Sequence, residues 1–446
     1  MSKSKKITIV GAGLVGSLLA ILLGKRGYKV TIYERRKDLR KASISAGKSI
    51  NLALSNRGLK PLEQAGIINQ IKKMIIPMKG RMIHDEDNQL TFQRYGKSGQ
   101  VINSISRGGL NSLLMDVAEQ EGAKIYFDHQ VNEIDFDDSL VQFHNKNNLR
   151  TVSSDIIIGA DGAYSAVRSS FQKTDRFDYS QYFISHGYKE LYIPPDENGE
   201  FMLEKNALHI WPRNEFMLIA LPNKDCSFTV TLFLPFEGNV SFAQLSDTDK
   251  IDDFFSKYFP DAKSCMKDLT TYWNANPMSS LVTVKSYPWI RNKTMLIGDA
   301  AHAIVPFFGQ GMNCGFEDCG ILEDLLNQFD DNWDIVLPEY QLARKKNTDA
   351  IADLAIENYT EMRDLVADKL FLLRKQIEAK IHDLFPDKWI PQYSMVTFNE
   401  DISYAEARKI GQKQANIMDE VMKRPNILET WESMNYSEIV NQLTTS

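Results

Sequence analysis

Gly11, Gly13 and Gly16 form G-x-G-x-x-G directly after the β-branched run KITIV, and Glu34 ends a second such run, KVTIYE, 18 residues past Gly16. This order predicts strand, tight turn, helix and strand, a βαβ unit in which a pyrophosphate meets the helix amino terminus. The first glycine permits the turn, the second lets phosphate approach the backbone, and the third allows close packing of helix on strand. Glu34 would then accept hydrogen bonds from adenosine ribose hydroxyls. The fingerprint points to a dinucleotide without choosing between FAD and a nicotinamide cofactor. A second stretch, GDAAHAIVPFFGQGMNCGFEDC at 298–319, gathers glycines, a proline and two adjacent phenylalanines where a helix begins. Such a segment suits close approach of backbone to a bound group.

The elements that must position these residues are legible from hydrophobic patterning. Leucines and small residues recur at helical spacing over Leu14–Arg26, and buried strands are predicted near Ile156–Ile158 and Met295–Gly298. Between 178 and 290, NEFMLIALP and SFTVTLFLPF read as antiparallel strands of a second, sheet-rich region. After Asp299 the chain turns mostly helical, through FEDCGILEDLLNQF and a proline-free run over Glu339–Lys380.

Composition narrows the classes. With 43% hydrophobic and 25% charged residues and a net charge of −6 without blocks, the chain reads as globular and offers nucleic acid no basic surface. Cys226, Cys265, Cys314 and Cys319 show no C-x-x-C spacing, so neither a disulfide framework nor a zinc site is expected, and a reducing, cytoplasmic setting fits. The basic amino-terminal stretch reads as the approach to a strand, not as a signal peptide. No apolar run reaches spanning length and the carboxyl terminus is polar, so no membrane anchor is expected.

IIGADGAYSAVR at Ile157–Arg168 and MLIGDAAHAIVPFFGQGMNCG resemble the Asp-Gly and Gly-Asp motifs of the flavoprotein aromatic hydroxylases, which hold FAD and use NAD(P)H transiently. The resemblance implies that Asp299 binds a ribityl hydroxyl and that Met312 and Asn313 lie beside the isoalloxazine, where helix-start amides suit an anionic reduced ring. Arg107 in SISRGGLNSLL resembles the arginine that contacts the cofactor, and Val15, Arg35, Ala53, Val131 and Asp161 fall at further cofactor positions. From the residues alone, Arg107 reads more readily as a solvated surface arginine.

Together with KSINLALSNRGLKPLEQAGI, RMIHD, HGYKELYIPP, LHIWPRNEFMLIALPN, TLFLPFE, NYTEMRD and IPQYSMVTF, these segments make the chain similar to the kynurenine 3-monooxygenase family from about residue 6 to about residue 400. That resemblance implies hydroxylation of L-kynurenine to 3-hydroxykynurenine with FAD, NADPH and O2, by way of a flavin hydroperoxide. It also implies that Arg81 and Tyr95 hold the substrate carboxylate and that Asn358 and Tyr393 are further contacts. Leu208, Ile219, Leu221, Phe233 and Phe307 would wall the aromatic ring. A guanidinium suits a carboxylate by forming two parallel hydrogen bonds. Unaided, Arg81 reads more readily as one arm of a surface ion pair, Tyr393 as packing, and the wall as core.

The expected fold class is α/β. A Rossmann-like FAD-binding domain (1–177 and 291–330) is interleaved with an antiparallel-sheet substrate domain (178–290, with a segment near 75–105), and a helical region follows over 331–446. No catalytic side chain is expected, since the flavin carries the chemistry. His302 reads as a hydrogen-bonded part of a helix start, and Phe308 stands where some relatives carry histidine. Without a second complete fingerprint, NADPH is expected to dock transiently on the FAD-domain surface. Mitochondrial members carry a hydrophobic carboxyl-terminal anchor, so a soluble form is expected here. Hydroxylation of another aromatic acid, such as a hydroxybenzoate or an anthranilate, is an alternative, as is an FAD module that reduces a quinone or senses redox state.

Overall fold

A computed structural model describes residues 4–41, 51–95, 99–146, 148–364 and 369–443, without the side chains of 362–364 and 369. Residues 48–50, which open the KSINLALSNRG segment, lie outside the described residues.

KITIV lies inside a six-stranded sheet. It is paired in parallel with Ile156–Gly159 on one side and Lys29–Tyr33 on the other, so that Ile9 faces both Ile158 and Ile32 in register. A strand covered on both faces needs apolar residues at successive positions, and Ile7 through Val10 are all buried. The Leu14–Lys25 helix shows the same excess of apolar residues, with Gly16 through Leu23 buried without interruption. It is enclosed by the helices Arg107–Gln120 and Gly311–Gln328 as well as by the sheet, so it has no solvent stripe to mark with polar residues.

The second large sheet has seven strands in the order Met278–Tyr287, Asp178–Ile193, Phe228–Pro235, Phe216–Pro222, Ala207–Arg213, Gly80–His84, Leu90–Arg94. Gly80–His84 joins Ala207–Arg213 in parallel, with Arg81 opposite Leu208, while the other pairings are antiparallel. Strand alternation divides its residues between two cores. Trp211, Leu218, Ala220, Leu232 and Leu234 enter one cluster, and Leu208, Ile219, Leu221 and Phe233 face the other way.

The first of these clusters is closed by Thr248–Tyr258, Pro260–Cys265 and Leu269–Ala275, three helices that the sequence reading of 178–290 as sheet-rich did not separate. Their signal was present: Ile251, Phe254 and Phe255 are buried at helical spacing, and the Asp247 side chain accepts from Lys250 N as a cap. A three-stranded sheet of Asn51–Leu54, Ile102–Ser106 and Ile76–Met78 lies beside these layers. The carboxyl-terminal part is helical, led by Trp333–Asp364, Lys369–Leu384 and Tyr404–Met422. Among the described residues no helix is long and apolar enough to cross a membrane.

Candidate active site

The three fingerprint glycines differ in what demands them. Gly11 has φ +105°, and a Cβ there would lie 2.5 Å from the carbonyl oxygen of Ala160. A Cβ on Gly16 would lie 2.1 Å from the oxygen of Gly11. Gly13 has φ −74°, which any residue adopts, and a Cβ there would meet no atom within 4 Å. The fold therefore requires the outer two, while the middle one borders open space at a helix amino terminus, where a pyrophosphate fits. Gly13→Val is accordingly expected to leave the apoprotein's melting temperature unchanged while abolishing FAD retention on gel filtration. Gly16→Ala is expected to disrupt folding itself.

Glu34 is 6% exposed and lies beside this turn. Its Oε2 accepts from Ala12 N and its Oε1 from Arg36 N and Nε, each at 2.9 Å. Burial alone would raise its pKa, but the Arg36 guanidinium and the two amides outweigh it and the net shift is downward, keeping the carboxylate ionised. Arg36, and not the exposed Arg35, makes this contact. Val131 lies on Gln130–Asp135, just after His129, whose amide donates to Glu34 O.

Asp161 uses its carboxylate to receive Ser165 Oγ (2.5 Å), Ala166 N (2.7 Å) and Val167 N (3.2 Å), capping Ala166–Phe171. Arg168 then donates to Ala300 O and Ala163 O, tying the Asp-Gly segment to the Gly-Asp turn.

At that turn Gly298 has φ +61° and ψ −144°, a backbone state that favours glycine, and it presents Asp299. Asp299 is exposed, yet protein surrounds it closely enough that burial raises its pKa against the lowering by His302 and Arg107. That combination describes a carboxylate in a concave setting that solvent still reaches. Arg107 shares the field there: it is the first residue of its helix, is exposed, and has no hydrogen-bond partner among the described residues.

Val15 is wedged between Gly298 and Gly315, at which added Cβ atoms would lie 3.1 and 2.7 Å from it. Met312 is half-buried at the helix start. Asn313 is fully buried, and its side chain faces inward: Nδ2 donates to Ala53 O and Gly309 O, and Oδ1 accepts from Ser55 N, all at 2.9 Å. Asn313 thereby fastens the Ala53 strand to the glycine-rich helix start.

Across the seven-stranded sheet the second group of residues converges. Tyr95, Leu208, Ile219, Leu221 and Tyr393 share one apolar cluster with Ala53, and Phe233, Phe307, Ile219 and Tyr393 share a neighbouring one, so Ile219 and Tyr393 join the two. The Arg81 guanidinium lies 4.6 Å from the Tyr393 ring and 5.5 Å from the Tyr95 ring. Arg81 Nε and the Tyr95 hydroxyl are both buried without a well-formed hydrogen bond, the guanidinium lies close enough to the Tyr95 and Tyr393 hydroxyls to interact weakly with them, and among the described residues no carboxylate pairs with Arg81. Burial raises the Tyr95 pKa, so its hydroxyl stays protonated and able to donate. Two unmet donors in an aromatic frame suit a carboxylate. Asn358 Nδ2 donates to Phe307 O at 2.7 Å. Phe308 is buried and stacks 5.3 Å from Tyr393, which makes it packing at the pocket's edge.

Behind the Gly-Asp turn lies a buried ionic network. Asp318 accepts from His302 Nε2 and Arg344 Nε, each at 2.6 Å, and from Gly298 N at 3.1 Å. Arg344 reaches Glu317, which also pairs with Arg57, and Arg57 donates to the carbonyls of Met395, Val396, Asn399 and Ile402. The network pins the turn that carries Asp299 to the carboxyl-terminal segment that carries Tyr393.

The sequence reading missed Tyr188 and Glu190. Both lie on Asp178–Ile193 within the field of Arg107, and Glu190 is pushed up to about 6 by burial, opposed by Arg107. Their i, i+2 spacing in HGYKELYIPP was visible; that this strand would come within the field of Arg107 was not.

A glycine-turn dinucleotide cleft, a Gly-Asp turn on its wall and an apolar pocket holding an unpaired arginine are the parts of an FAD-dependent aromatic hydroxylase. The FAD binding domain family model matches residues 4–189 and 273–331. The fold is shared with 2-methyl-3-hydroxypyridine-5-carboxylic acid oxygenase, with TM-score 0.69 and 19% identity over 82% of this chain and 94% of that one. PqsL of Pseudomonas aeruginosa, solved with 2-aminobenzoylacetate, gives TM-score 0.67 at 18% identity over 81% and 97% of the two chains. The chain is 48% identical to kynurenine 3-monooxygenase of Christiangramia forsetii over 99% of each protein, and 46% identical to that of Dictyostelium discoideum over 94% of each. It belongs to the kynurenine 3-monooxygenase family.

Proposed function

We propose that this protein hydroxylates L-kynurenine to 3-hydroxykynurenine, using FAD as resident cofactor and NADPH and O2 as co-substrates. The observation that carries the substrate assignment is the buried pair of unmet donors, Arg81 Nε and the Tyr95 hydroxyl, at the end of an apolar pocket. Arg81 and Tyr95 hold the amino-acid carboxylate. Leu208, Ile219, Leu221, Phe233 and Phe307 then enclose the ring, with Asn358 and Tyr393 at its flanks.

The open space at Gly13, the carboxylates of Glu34 and Asp299, and the unpartnered Arg107 fit a dinucleotide that runs through the cleft. Val15, Ala53, Val131, Asp161, Met312 and Asn313 would shape its walls, and the helix-start amides after Gly309 would serve its ring. The chemistry that FAD supplies when bound is activation of dioxygen and delivery of one oxygen atom to an electron-rich arene. The chain's share is to position that arene and to exclude water, for which an apolar enclosure serves better than an acid or base. Kynurenine's ring amine itself activates the adjacent carbon, so no side-chain base is required. His302 is committed to Asp318 and takes no part.

The deciding measurement is product mass with purified, FAD-loaded protein, NADPH and L-kynurenine in air. Gain of one oxygen atom, with NADPH oxidation stimulated by kynurenine, is the expected result. Turnover of a hydroxybenzoate or an anthranilate in its place overturns the substrate assignment, and NADPH oxidation without any hydroxylated product overturns the reaction.

A further inference from the structure

Phe307 is half-buried and is gripped by two consecutive residues of the Trp333–Asp364 helix. Asn358 Nδ2 donates to its carbonyl oxygen at 2.7 Å, and the Tyr359 ring packs on its ring with 4.7 Å between centroids. Phe307 in turn meets Phe233 of the seven-stranded sheet at 5.3 Å. Pro306–Phe308 is a single turn outside that sheet, so the sheet's own ladder does not fix where the Phe307 ring stands.

The Tyr359 hydroxyl is itself held. It lies 2.6 Å from His186 Nδ1, and both residues are buried. His186 Nε2 lies 2.6 Å from Glu215 O, and a carbonyl oxygen only accepts, so Nε2 carries a proton. In the neutral ring Nδ1 is then the acceptor, and the Tyr359 hydroxyl donates to it. Ser185 Oγ is a longer neighbour of the same nitrogen, at 3.2 Å. His186 lies on the same face of Asp178–Ile193 as Tyr188, the register partner of Phe233. Glu215 directly precedes Phe216–Pro222, the strand that carries Ile219 and Leu221.

A chain of contacts thus runs from the strands that carry Ile219, Leu221 and Phe233, through His186 and Tyr359, to Phe307 on its separate turn. We propose that Tyr359, held by His186, is a positioning residue that sets the Phe307 ring against the sheet half of the wall and so places the arene for hydroxylation. The inference rests on the reaction and the wall role proposed above. Binding and placement are separable, because Arg81 and Tyr95 hold the carboxylate while the wall orients the ring. With the arene in place, NADPH, a proton, O2 and kynurenine give NADP+, 3-hydroxykynurenine and water. With it misplaced, NADPH, a proton and O2 give NADP+ and hydrogen peroxide, and kynurenine is left unchanged.

The test compares full-length, FAD-loaded wild type with Tyr359→Phe, His186→Leu, His186→Gln and Tyr436→Phe. Tyr359→Phe keeps the ring and removes only the hydroxyl. At position 186 glutamine offers one donor for Glu215 O and one acceptor for Tyr359, and leucine offers neither. Tyr436, whose hydroxyl donates to Trp431 O in a separate carboxyl-terminal cluster, controls for the loss of a tyrosine hydrogen bond elsewhere. Product and peroxide are counted per NADPH consumed, and kynurenine affinity is titrated without NADPH. In Tyr359→Phe and His186→Leu, product per NADPH is expected to fall by about threefold or more, with peroxide making up the difference, while the kynurenine dissociation constant moves by less than about threefold. His186→Gln and Tyr436→Phe are expected to stay close to wild type. Flavin absorbance and melting temperature report that each variant is folded, and Tyr359→Phe decides the matter alone if His186→Leu is not. Product per NADPH at the wild-type level in Tyr359→Phe overturns the positioning role, as does an equal loss in Tyr436→Phe. Absence of hydroxylated product from wild type overturns instead the function on which the inference rests.

Discussion

Replacing Arg81 by alanine is expected to raise the kynurenine concentration for half-maximal turnover by about two to three orders of magnitude, with bound FAD unchanged. The guanidinium has no protein carboxylate among the described residues and is framed by the Tyr95 and Tyr393 rings, so its charge is held ready for a ligand. Truncating one partner of a buried, hydrogen-bonded charge pair typically costs about 2–5 kcal/mol, and about 1.4 kcal/mol corresponds to tenfold in affinity. Arg81→Lys should recover only part of the loss, because an ammonium keeps the charge without the planar fork. Tyr95→Phe removes one neutral donor and should cost about tenfold. Steady-state kinetics with flavin absorbance on the same samples checks all three. Loss of FAD from Arg81→Ala would place the residue in the cofactor cleft and sink the carboxylate role.

Asp318→Ala is expected to be the most damaging single change away from the pocket. Asp318 is fully buried and is bonded to His302 and Arg344. Burial tends to lower the His302 pKa, but Asp318 beside it reverses the sign and lifts it from 6.5 to about 10, so the ring is an imidazolium at neutral pH. Removing the carboxylate returns His302 to the neutral form that burial favours and deprives the buried Arg344 guanidinium of one of its two carboxylates, and breaking a buried pair in this way costs about 3–5 kcal/mol. Because Asp318 also receives Gly298 N, weaker FAD retention should accompany the fall in stability.

The pH dependence follows from linkage. The folded state holds the His302 proton more tightly than the unfolded chain does, so this contribution is fully present below about pH 6.5 and is lost as pH rises through about 10. Urea denaturation of wild type and His302→Gln at pH 6, 8 and 10 checks the sign, since the difference between the two should shrink toward high pH. A difference that grows with pH would mean that His302 is buried neutral.

Much of the cofactor side was legible before any fold was known. The Gly11, Gly13 and Gly16 spacing, the apolar KITIV strand and Glu34 at the end of its neighbour are local patterns, and the parallel sheet assembles around them as expected. The sheet-rich character of the middle of the chain was legible for the same reason, although its three short helices were hidden among stronger strand signals. Arg81 and Tyr95 were marked by family resemblance and not by their chemistry, since RMIHD by itself does not distinguish a ligand-binding arginine from a solvated one.

By its own patterning, then, the chain determines where glycine must stand, which strands are buried on both faces and in what order the elements run. Backbone dihedral preference and hydrophobic period act over a few residues, and they can be read at that range. Only the tertiary structure decides that Gly13 borders open space while Gly11 and Gly16 are filled in, that Asn313 clamps Ala53, and that Arg81 lacks a carboxylate among the described residues. Each of these depends on which surfaces meet, and unmet charge and open space exist only where segments distant in sequence come together and leave a group or a volume unfilled.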